Sequence, residues 1–242
     1  MINIEENLRN LDLNEKEAKV YLACLELGSA TIAEIAEAKA QGQSVYSEIG
    51  THYLVLHKDA WKINVPLRDR STHELLWHAL GSGAIDCIGS DHVAHTRTRE
   101  SMETGNVWTT ISGFPSRVEG MLPMMLTEGV NKGRITIERL AQVASENPAR
   151  IFGLYPKKGA IIPGADADLI VVDLKRRATI TKQLLHTVTP WSVYEGREVV
   201  GWPVMTLVRG NVVMEWPEGE PRAKVTQACV GQYLRRQLAH GS

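Results

Sequence analysis

The stretch Ala84-Ile-Asp-Cys-Ile-Gly-Ser-Asp-His92 decides the fold class of this 242-residue chain. Residues Ala84–Ser90 form a short apolar run that predicts a buried β-strand, and Asp91 follows directly at its carboxyl end. A predicted helix, Thr72–Leu80, precedes the run, so helix and strand alternate as in a parallel α/β fold. Parallel β/α barrels carry their catalytic residues at this end of their strands.

Asp91 is the residue of this stretch with the chemistry for a reaction. A carboxylate in that position can bind a divalent metal and can accept a proton from a metal-bound water as that water attacks a substrate. A strand-end aspartate also commonly caps the following loop or helix, and the residues alone leave both interpretations open.

Composition places the chain among ordinary globular proteins, with 43% hydrophobic and 23% charged residues. Its 27 basic and 28 acidic residues leave a net charge of −1, which excludes a polybasic nucleic-acid binder. The three cysteines lie far apart without C-x-x-C spacing, so neither a disulfide framework nor a cysteine zinc site is predicted. No signal peptide is recognised, and no apolar run approaches the roughly 18–20 residues of a membrane span. We therefore expect a cytoplasmic protein without a membrane partner.

Charge and composition change near residues 38–44. Residues 1–42 carry eight acidic and four basic side chains, and all ten prolines and six tryptophans come later. Beyond this point, β/α units precede a run of β-strands that begins near Lys157. The predicted domains are 1–42, 43–155 and 156–242.

Residues 1–42 predict three short helices. Thr31-Ile-Ala-Glu34 is a capping box that opens the last of them. The spacing of helix, turn, short helix and turn is typical of a helix-turn-helix. A further helix is predicted from Ser44 to about Tyr53, although Ser44–Glu48 could equally form a strand.

The later elements are predicted from turn residues and apolar runs. Pro163-Gly164 joins Ala160–Ile162 to Leu169–Val172 in a hairpin, and Asn147-Pro148 ends a helix that begins at Thr136. Three more strands cover Glu198–Val200, Val204–Val208 and Val212–Glu215. Arg134, Arg139 and Arg150 are predicted to lie on a solvated face.

Seven segments, in order along the chain, carry a family resemblance. They are Ser44-Val-Tyr-Ser-Glu-Ile-Gly-Thr-His-Tyr-Leu54, Lys62-Ile-Asn-Val-Pro-Leu-Arg68, Ile85-Asp-Cys-Ile-Gly-Ser-Asp-His92, Gly113-Phe-Pro-Ser-Arg-Val-Glu119, Met121-Leu-Pro123, Ser145-Glu-Asn-Pro-Ala149 and Lys158-Gly-Ala-Ile-Ile-Pro-Gly-Ala-Asp-Ala-Asp-Leu169. Residues from about 38 to 236 thereby resemble the C-terminal half of a cyclic amidohydrolase, the group of dihydroorotases, hydantoinases, dihydropyrimidinases and allantoinases. The resemblance implies the C-terminal part of a (β/α)8 barrel over 43–155 and a partial β-sandwich over 156–242.

The resemblance also implies a reaction: metal-dependent hydrolysis of a C–N bond in a cyclic amide or ureide, with zinc as the usual metal. Asp91 matches the family's last metal ligand and general base. Asn64 and Pro115 lie in stretches that border the substrate. His52 falls in an H-Y-L stretch that serves packing, and it is not predicted as a ligand.

The resemblance places the family's other metal ligands before the matched region, which leaves Asp91 as the one ligand expected here. Zinc sites use three or more protein ligands, and half a barrel exposes apolar faces and open edges. We therefore expect self-association or a partner chain to cover the barrel, with the lone chain impaired or inactive.

A second resemblance covers about 40 residues at the start of the chain. Leu11-Asp-Leu-Asn-Glu-Lys-Glu-Ala-Lys-Val-Tyr-Leu22 and Leu27-Gly-Ser-Ala-Thr-Ile-Ala-Glu-Ile-Ala36 are similar to the helix-turn-helix of TrmB-like transcription regulators. This predicts a fusion with its junction near residues 38–46, and hence a DNA-binding module or an artificial chimera without evolved activity as alternatives. The acidic balance of 1–42 and the lack of Lys or Arg in 44–53 make DNA the weaker partner.

Overall fold

The structure is a computed structural model that describes residues 32–43, 45–61, 63, 65–94, 96–102, 118–226 and 230–236. In chain order its elements are α1 (Ile32–Ala40), β1 (Glu48–Gly50), α2 (Thr51–Val55), α3 (His73–Ser82), β2 (Cys87–Gly89), α4 (Arg99–Met102), α5 (Val118–Met125), α6 (Ile137–Ala141), α7 (Asn147–Ile151), β3 (Leu169–Thr179), β4 (Glu198–Val208), β5 (Asn211–Glu215) and β6 (Lys224–Val225). A 3₁₀ turn, Arg70–Thr72, leads into α3, and π-helical turns, Leu126–Val130 and Gln142–Glu146, follow α5 and α6.

The first sheet is a parallel pair. β1 and β2 lie side by side, with Glu48 opposite Cys87 and Gly50 opposite Gly89, and α3 belongs to the connection between them. The strand predicted before Asp91 is therefore confirmed. The helix predicted from residue 44 to about 53 is wrong for 45–50, because 48–50 is a strand and helical backbone begins only at Thr51. The alternative, a strand over 44–48, is right in type but placed too early. Pairing with β2 supplies backbone hydrogen bonds there, and Gly50 disfavours a helix.

The second sheet is antiparallel, with strand order β3-β4-β5-β6. The two strands predicted over 198–200 and 204–208 form the single strand β4. Its pairing with β3 shifts in register between Val171 and Val172. The strand predicted over 160–162 is wrong, since these residues belong to no strand. The Lys158 ammonium contacts both Asp166 and Asp168, and these ion pairs hold the segment before β3 as a loop.

Helical structure also continues past the predicted stop. The π-helical turn Gln142–Glu146 leads directly into α7, which begins at Asn147. Pro148 occupies the first turn of α7, where a missing backbone N–H costs no intrahelical bond. The Asn147 side chain donates a hydrogen bond of 2.7 Å to the Asp86 carbonyl and so connects α7 to the residue before β2.

The two sheets share one hydrophobic core. Among its fully buried side chains are Leu54, Leu80, Trp77, Met124, Ile180, Leu185 and Tyr194, which come from both the barrel-like part and the β-sheet part. The Val200 N–H of β4 donates to Thr127 Oγ1 at 2.9 Å, and Asn131 donates to the Val200 carbonyl at 2.8 Å. The predicted boundary at 155/156 thus runs through shared packing and stays a prediction.

Of the helical module, the described part of the chain contains α1. It begins at Ile32, the second residue of the predicted capping box, so this helix is confirmed. The Lys39 ammonium lies 2.6 Å from Asp86 Oδ2 and donates to the Ala84 carbonyl at 2.8 Å, which joins α1 to the approach to β2. Residues 1–31 lie outside the described residues, and the helix-turn-helix and the boundary at 42/43 stay predictions. No described helix has the length and apolar character required to cross a bilayer.

Candidate active site

The carboxyl ends of β1 and β2 bring three polar residues to one edge of the parallel pair. Thr51 and His52 follow β1, and Asp91 lies two residues beyond the end of β2. Because Gly50 and Gly89 are paired in register, the two strands end at the same level. The structure thus places Asp91 at the carboxyl end of a parallel strand, as the sequence predicts.

Asp91 has a left-handed backbone, with φ of 45°. Aspartate adopts this region more readily than most residues, yet the conformation still costs on the order of 1 kcal/mol. The side chain is 57% exposed, and the following turn is fastened by the His92 N–H, which donates to Ser90 Oγ at 3.3 Å. The strained turn therefore presents a carboxylate to solvent, as a ligand-binding group requires.

His52 lies directly beside Asp91. Its ring is completely buried, and Nε2 is 3.9 Å from Asp91 Oδ2, beyond a direct hydrogen bond but close enough for electrostatic contact. A Cβ on Gly50 would lie 2.2 Å from the ring, so glycine at this position leaves space for the imidazole. The H-Y-L stretch predicts that His52 serves packing, and the complete burial of its ring agrees with this prediction. Its place beside Asp91 follows from the parallel pairing of β1 with β2, which no local pattern in the sequence indicates.

The position of β2 is fixed by side chains that bind its flanking backbone. Arg139 donates from Nε to the Leu80 carbonyl and from Nη2 to the Ile85 carbonyl, each at 2.8 Å. Arg134 donates to the Glu128 carbonyl. The predicted solvated face is therefore wrong for Arg139 and Arg134, because both bind backbone carbonyls, whereas Arg150 is half exposed.

Cys87 of β2 does not serve as a reactive thiol. Its side chain is buried, and burial, assisted by the negative charges of Glu48 and Asp86, raises its pKa to about 11. The thiolate is the form that binds metals and attacks substrates. At neutral pH this cysteine therefore acts as a small core residue.

The described residues do not complete a metal centre. Within this part of the chain, no group of three or more His, Cys, Asp or Glu side chains is arranged to hold an ion. Asp91 and His52 offer two donors at most, whereas zinc sites use at least three protein ligands. The predicted substrate-contacting residues Asn64 and Pro115 lie outside the described residues, so their positions stay predictions.

Comparison with known proteins agrees with this geometry. The model of the amidohydrolase family matches residues 16–213. An L-hydantoinase of Paenarthrobacter aurescens is 36% identical over 239 residues, an alignment that covers 96% of this chain and 51% of the relative. A D-hydantoinase of Ralstonia pickettii is 31% identical over 227 residues, covering 90% of this chain and 48% of the relative. The chain spans about half the length of the curated relatives it matches.

Solved structures show the same similarity. The L-hydantoinase (dihydropyrimidinase) from Arthrobacter aurescens superposes with a TM-score of 0.70 at 39% identity, covering 75% of this chain and 42% of that one. A D-hydantoinase (dihydropyrimidinase) from Thermus sp. gives a TM-score of 0.70 at 32% identity over the same shares. These neighbours have TIM-barrel-type domains, which agrees with the parallel pair and its flanking helices.

Proposed function

The chain belongs to the amidohydrolase family, and we propose that it forms the carboxyl-terminal part of a hydrolase that opens cyclic amides or ureides. The observation that carries this proposal is the exposed, strained Asp91 at the carboxyl end of β2, beside β1. Several similar proteins are named for hydantoin, a cyclic ureide, which supports that substrate class.

Asp91 has two roles in this proposal. The family is generally metal-dependent, and zinc is the ion we expect. Such an ion supplies Lewis-acid activation of water and of the ring carbonyl. The Asp91 carboxylate contributes one ligand and holds at an Oδ atom the proton released during attack on the ring. His52 lines the protein side of this carboxylate, while Asn64 and Pro115 border the substrate.

In this proposal, a second copy of the chain or a partner chain covers the open part of the barrel. Within the described residues, no further strand pairs with β1 or β2, and a two-stranded sheet is marginally stable by itself. Apolar side chains of β3 are also exposed, including Ile170, Val171 and Leu174. Covering such edges and faces lowers the free energy of the assembly.

Hydrolysis by the purified chain tests the proposal. Hydantoin, dihydrouracil and allantoin are the substrates, zinc content is measured by elemental mass spectrometry, and Asp91→Asn is compared with Asp173→Asn, an exposed aspartate of β3. Removal of a general base costs about 10²–10⁴-fold in rate. We expect Asp91→Asn to lose that much activity together with bound zinc, and Asp173→Asn to retain both. Activity or bound zinc that survives Asp91→Asn contradicts the proposal.

A DNA-binding regulator that uses residues 1–56 is the alternative function. Helix α1 agrees with one predicted element, but β1 occupies the place of the expected recognition helix. The amidohydrolase match also begins at residue 16, inside the module assigned to a foreign origin. A gel shift decides this point: regulator-type binding weakens steeply between about 50 and 200 mM salt.

A further inference from the structure

A second cleft, lined by residues other than Asp91 and His52, carries an excess of positive charge. It has a volume of about 220 Å³ and lies between the end of α2, the segment that enters α3, the turn after α5 and the start of β4. We call it the basic cleft. Its polar lining residues are His57, Arg70, His73, Glu128, Lys132, Arg134 and Arg197. The lining thus contains four positively charged side chains, three arginines and one lysine, and a single carboxylate, that of Glu128.

Two of these cations are already neutralised. Glu128 pairs with Lys132 at 2.7 Å and with Arg134 at 3.1 Å, and Arg134 also pairs with Glu74 at 2.6 Å. Burial raises the pKa of the Glu128 carboxyl, but the hydrogen bonds and charges of Lys132 and Arg134 outweigh it and hold the pKa below its usual value. Glu128 therefore stays ionised and compensates these neighbours.

Arg70 and Arg197 lack such compensation. Arg70 Nη2 donates to His57 Nε2 at 2.6 Å, and Arg197 Nη2 donates to the Val55 carbonyl at 3.2 Å, so both bonds end on neutral acceptors. Among the described residues, neither guanidinium forms an ion pair within 4.0 Å. Asp59 and Asp69, which line an adjacent pocket together with Arg70, pair with His57 and Lys58 instead. Each guanidinium has five N–H donors, and most of them remain available to a ligand.

The acceptors also orient the two guanidinium groups. Because Arg70 cannot give up its proton, His57 accepts through a lone pair on Nε2 and carries its hydrogen on Nδ1. That nitrogen lies 3.4 Å from Asp59 Oδ2, which supports this tautomer. Arg197 is fixed at the end of α2 by the Val55 carbonyl. One hydrogen bond thus restrains each guanidinium.

We propose that the basic cleft binds a phosphate group, either as inorganic phosphate or as a phosphate monoester. Guanidinium forks match the oxygen geometry of phosphates and bind it in a bidentate manner. A phosphate group carries close to two negative charges at neutral pH, which balances the two uncompensated arginines, whereas a carboxylate balances one. The proposal is independent of the hydrolase function.

Isothermal titration calorimetry of the full chain with sodium phosphate tests this site, with sodium chloride keeping the ionic strength constant. The variants are Arg70→Gln and Arg197→Gln, and Lys224→Gln is the matched control because Lys224 is an exposed cation paired with Glu220. We expect saturable binding of one phosphate per chain. Loss of one charged hydrogen-bonding group weakens binding by about tenfold, and Lys224→Gln leaves it unchanged.

Methyl phosphate, titrated in parallel, distinguishes the two sources of the group. Equal or tighter binding of the ester assigns the cleft to phosphate monoesters, and much weaker binding assigns it to inorganic phosphate. Arg70 is exposed, so its variant tests the site even where Arg197→Gln disturbs folding. Absence of saturable phosphate binding, or equal weakening by Lys224→Gln and Arg70→Gln, overturns the proposal.

Discussion

The two sheets of the molecule are stabilised in different ways. β1 and β2 pair over three residues each, whereas β3 and β4 are eleven residues long and pair at eight positions. The backbone around β2 is held by side chains from three helical segments, through Lys39, Arg139 and Asn147. β3 and β4 are held by their own ladder of backbone hydrogen bonds.

The difference matters for the candidate active site. A three-residue strand has too few ladder bonds to fix its own end, so the side chains around it determine where Asp91 begins its strained turn. The long antiparallel strands have more ladder bonds and depend less on such support, and several of their apolar side chains remain exposed. We infer that substitutions remote from Asp91 affect this site whenever they loosen β2.

The largest expected effect comes from the core behind β1 and β2. Trp77 is 1% exposed and donates from Nε1 to the Leu54 carbonyl at 3.2 Å. Trp77→Ala should destabilise the fold by about 3–5 kcal/mol, because it leaves a large cavity. Ile170→Ala on the exposed face of β3 should stay within about 0.5 kcal/mol. Urea unfolding measures both, and a large cost for Ile170→Ala would mean that a partner covers β3.

The next largest effect comes from a pair of arginine substitutions. They compare the backbone around β2, which side chains hold, with β3, which backbone hydrogen bonds hold. Arg139→Met leaves the carbonyls of Leu80 and Ile85 without this donor and should cost about 2–4 kcal/mol, at roughly 1–2 kcal/mol for each part-buried acceptor. Arg176→Met on β3 removes one bond to the Trp216 carbonyl and a stack on that ring, worth about 1 kcal/mol.

Thermal unfolding followed by circular dichroism compares these two methionine variants. If both lower the melting temperature equally, β2 is not held more by side chains than β3, and the contrast between the sheets fails. Methionine keeps the apolar stem of arginine, so the change reports mainly on the guanidinium contacts.

The smallest expected effect is electrostatic. The folded-state pKa of Glu128 is lowered, so its carboxylate stabilises the fold above the ordinary glutamate pKa of about 4.3, and this contribution is lost as the pH falls through the lower folded-state value. Glu128→Gln should therefore cost less than about 1 kcal/mol at pH 7 and nothing below the folded-state pKa. Urea midpoints measured from pH 7 to pH 3 show the convergence.

Glu220→Gln, which removes an exposed pair with Lys224, is the control for that series. If the difference in stability between the wild-type protein and Glu128→Gln is the same at every pH, the direction assigned to the Glu128 pKa shift is wrong. If Glu220→Gln destabilises the fold more than Glu128→Gln, partial burial does not strengthen the ion pairs of Glu128.

Local patterns predicted the elements whose partners are close in sequence or whose apolar run is long. The strand before Asp91, the helix after Arg70 and the strands β3, β4 and β5 follow from such runs, whereas the two-residue strand β6 was not predicted. The predictions over 44–53 and 160–162 failed because distant residues decide those segments. β1 forms through pairing with β2, and the loop before β3 is held by ion pairs of Lys158.

Of the candidate sites, Asp91 could be identified from sequence because a strand-end carboxylate leaves a local pattern. Its neighbour His52 could not, since their proximity depends on the parallel register that sets Gly50 opposite Gly89. These two glycines belong to strands that are separated in sequence by a helix and its connecting loops. Arg70 and Arg197 lie even farther apart in sequence, and no local spacing connects them.

By itself, then, the sequence determined the alternation of helices and strands, the family resemblance and the strand-end position of Asp91, because these depend on local periodicity and short motifs. The tertiary structure alone decided which charges face each other. Burial of His52 beside Asp91 and the convergence of Arg70 with Arg197 depend on packing between distant segments. Such contacts form only when a shared core brings those segments together, and no local pattern encodes them.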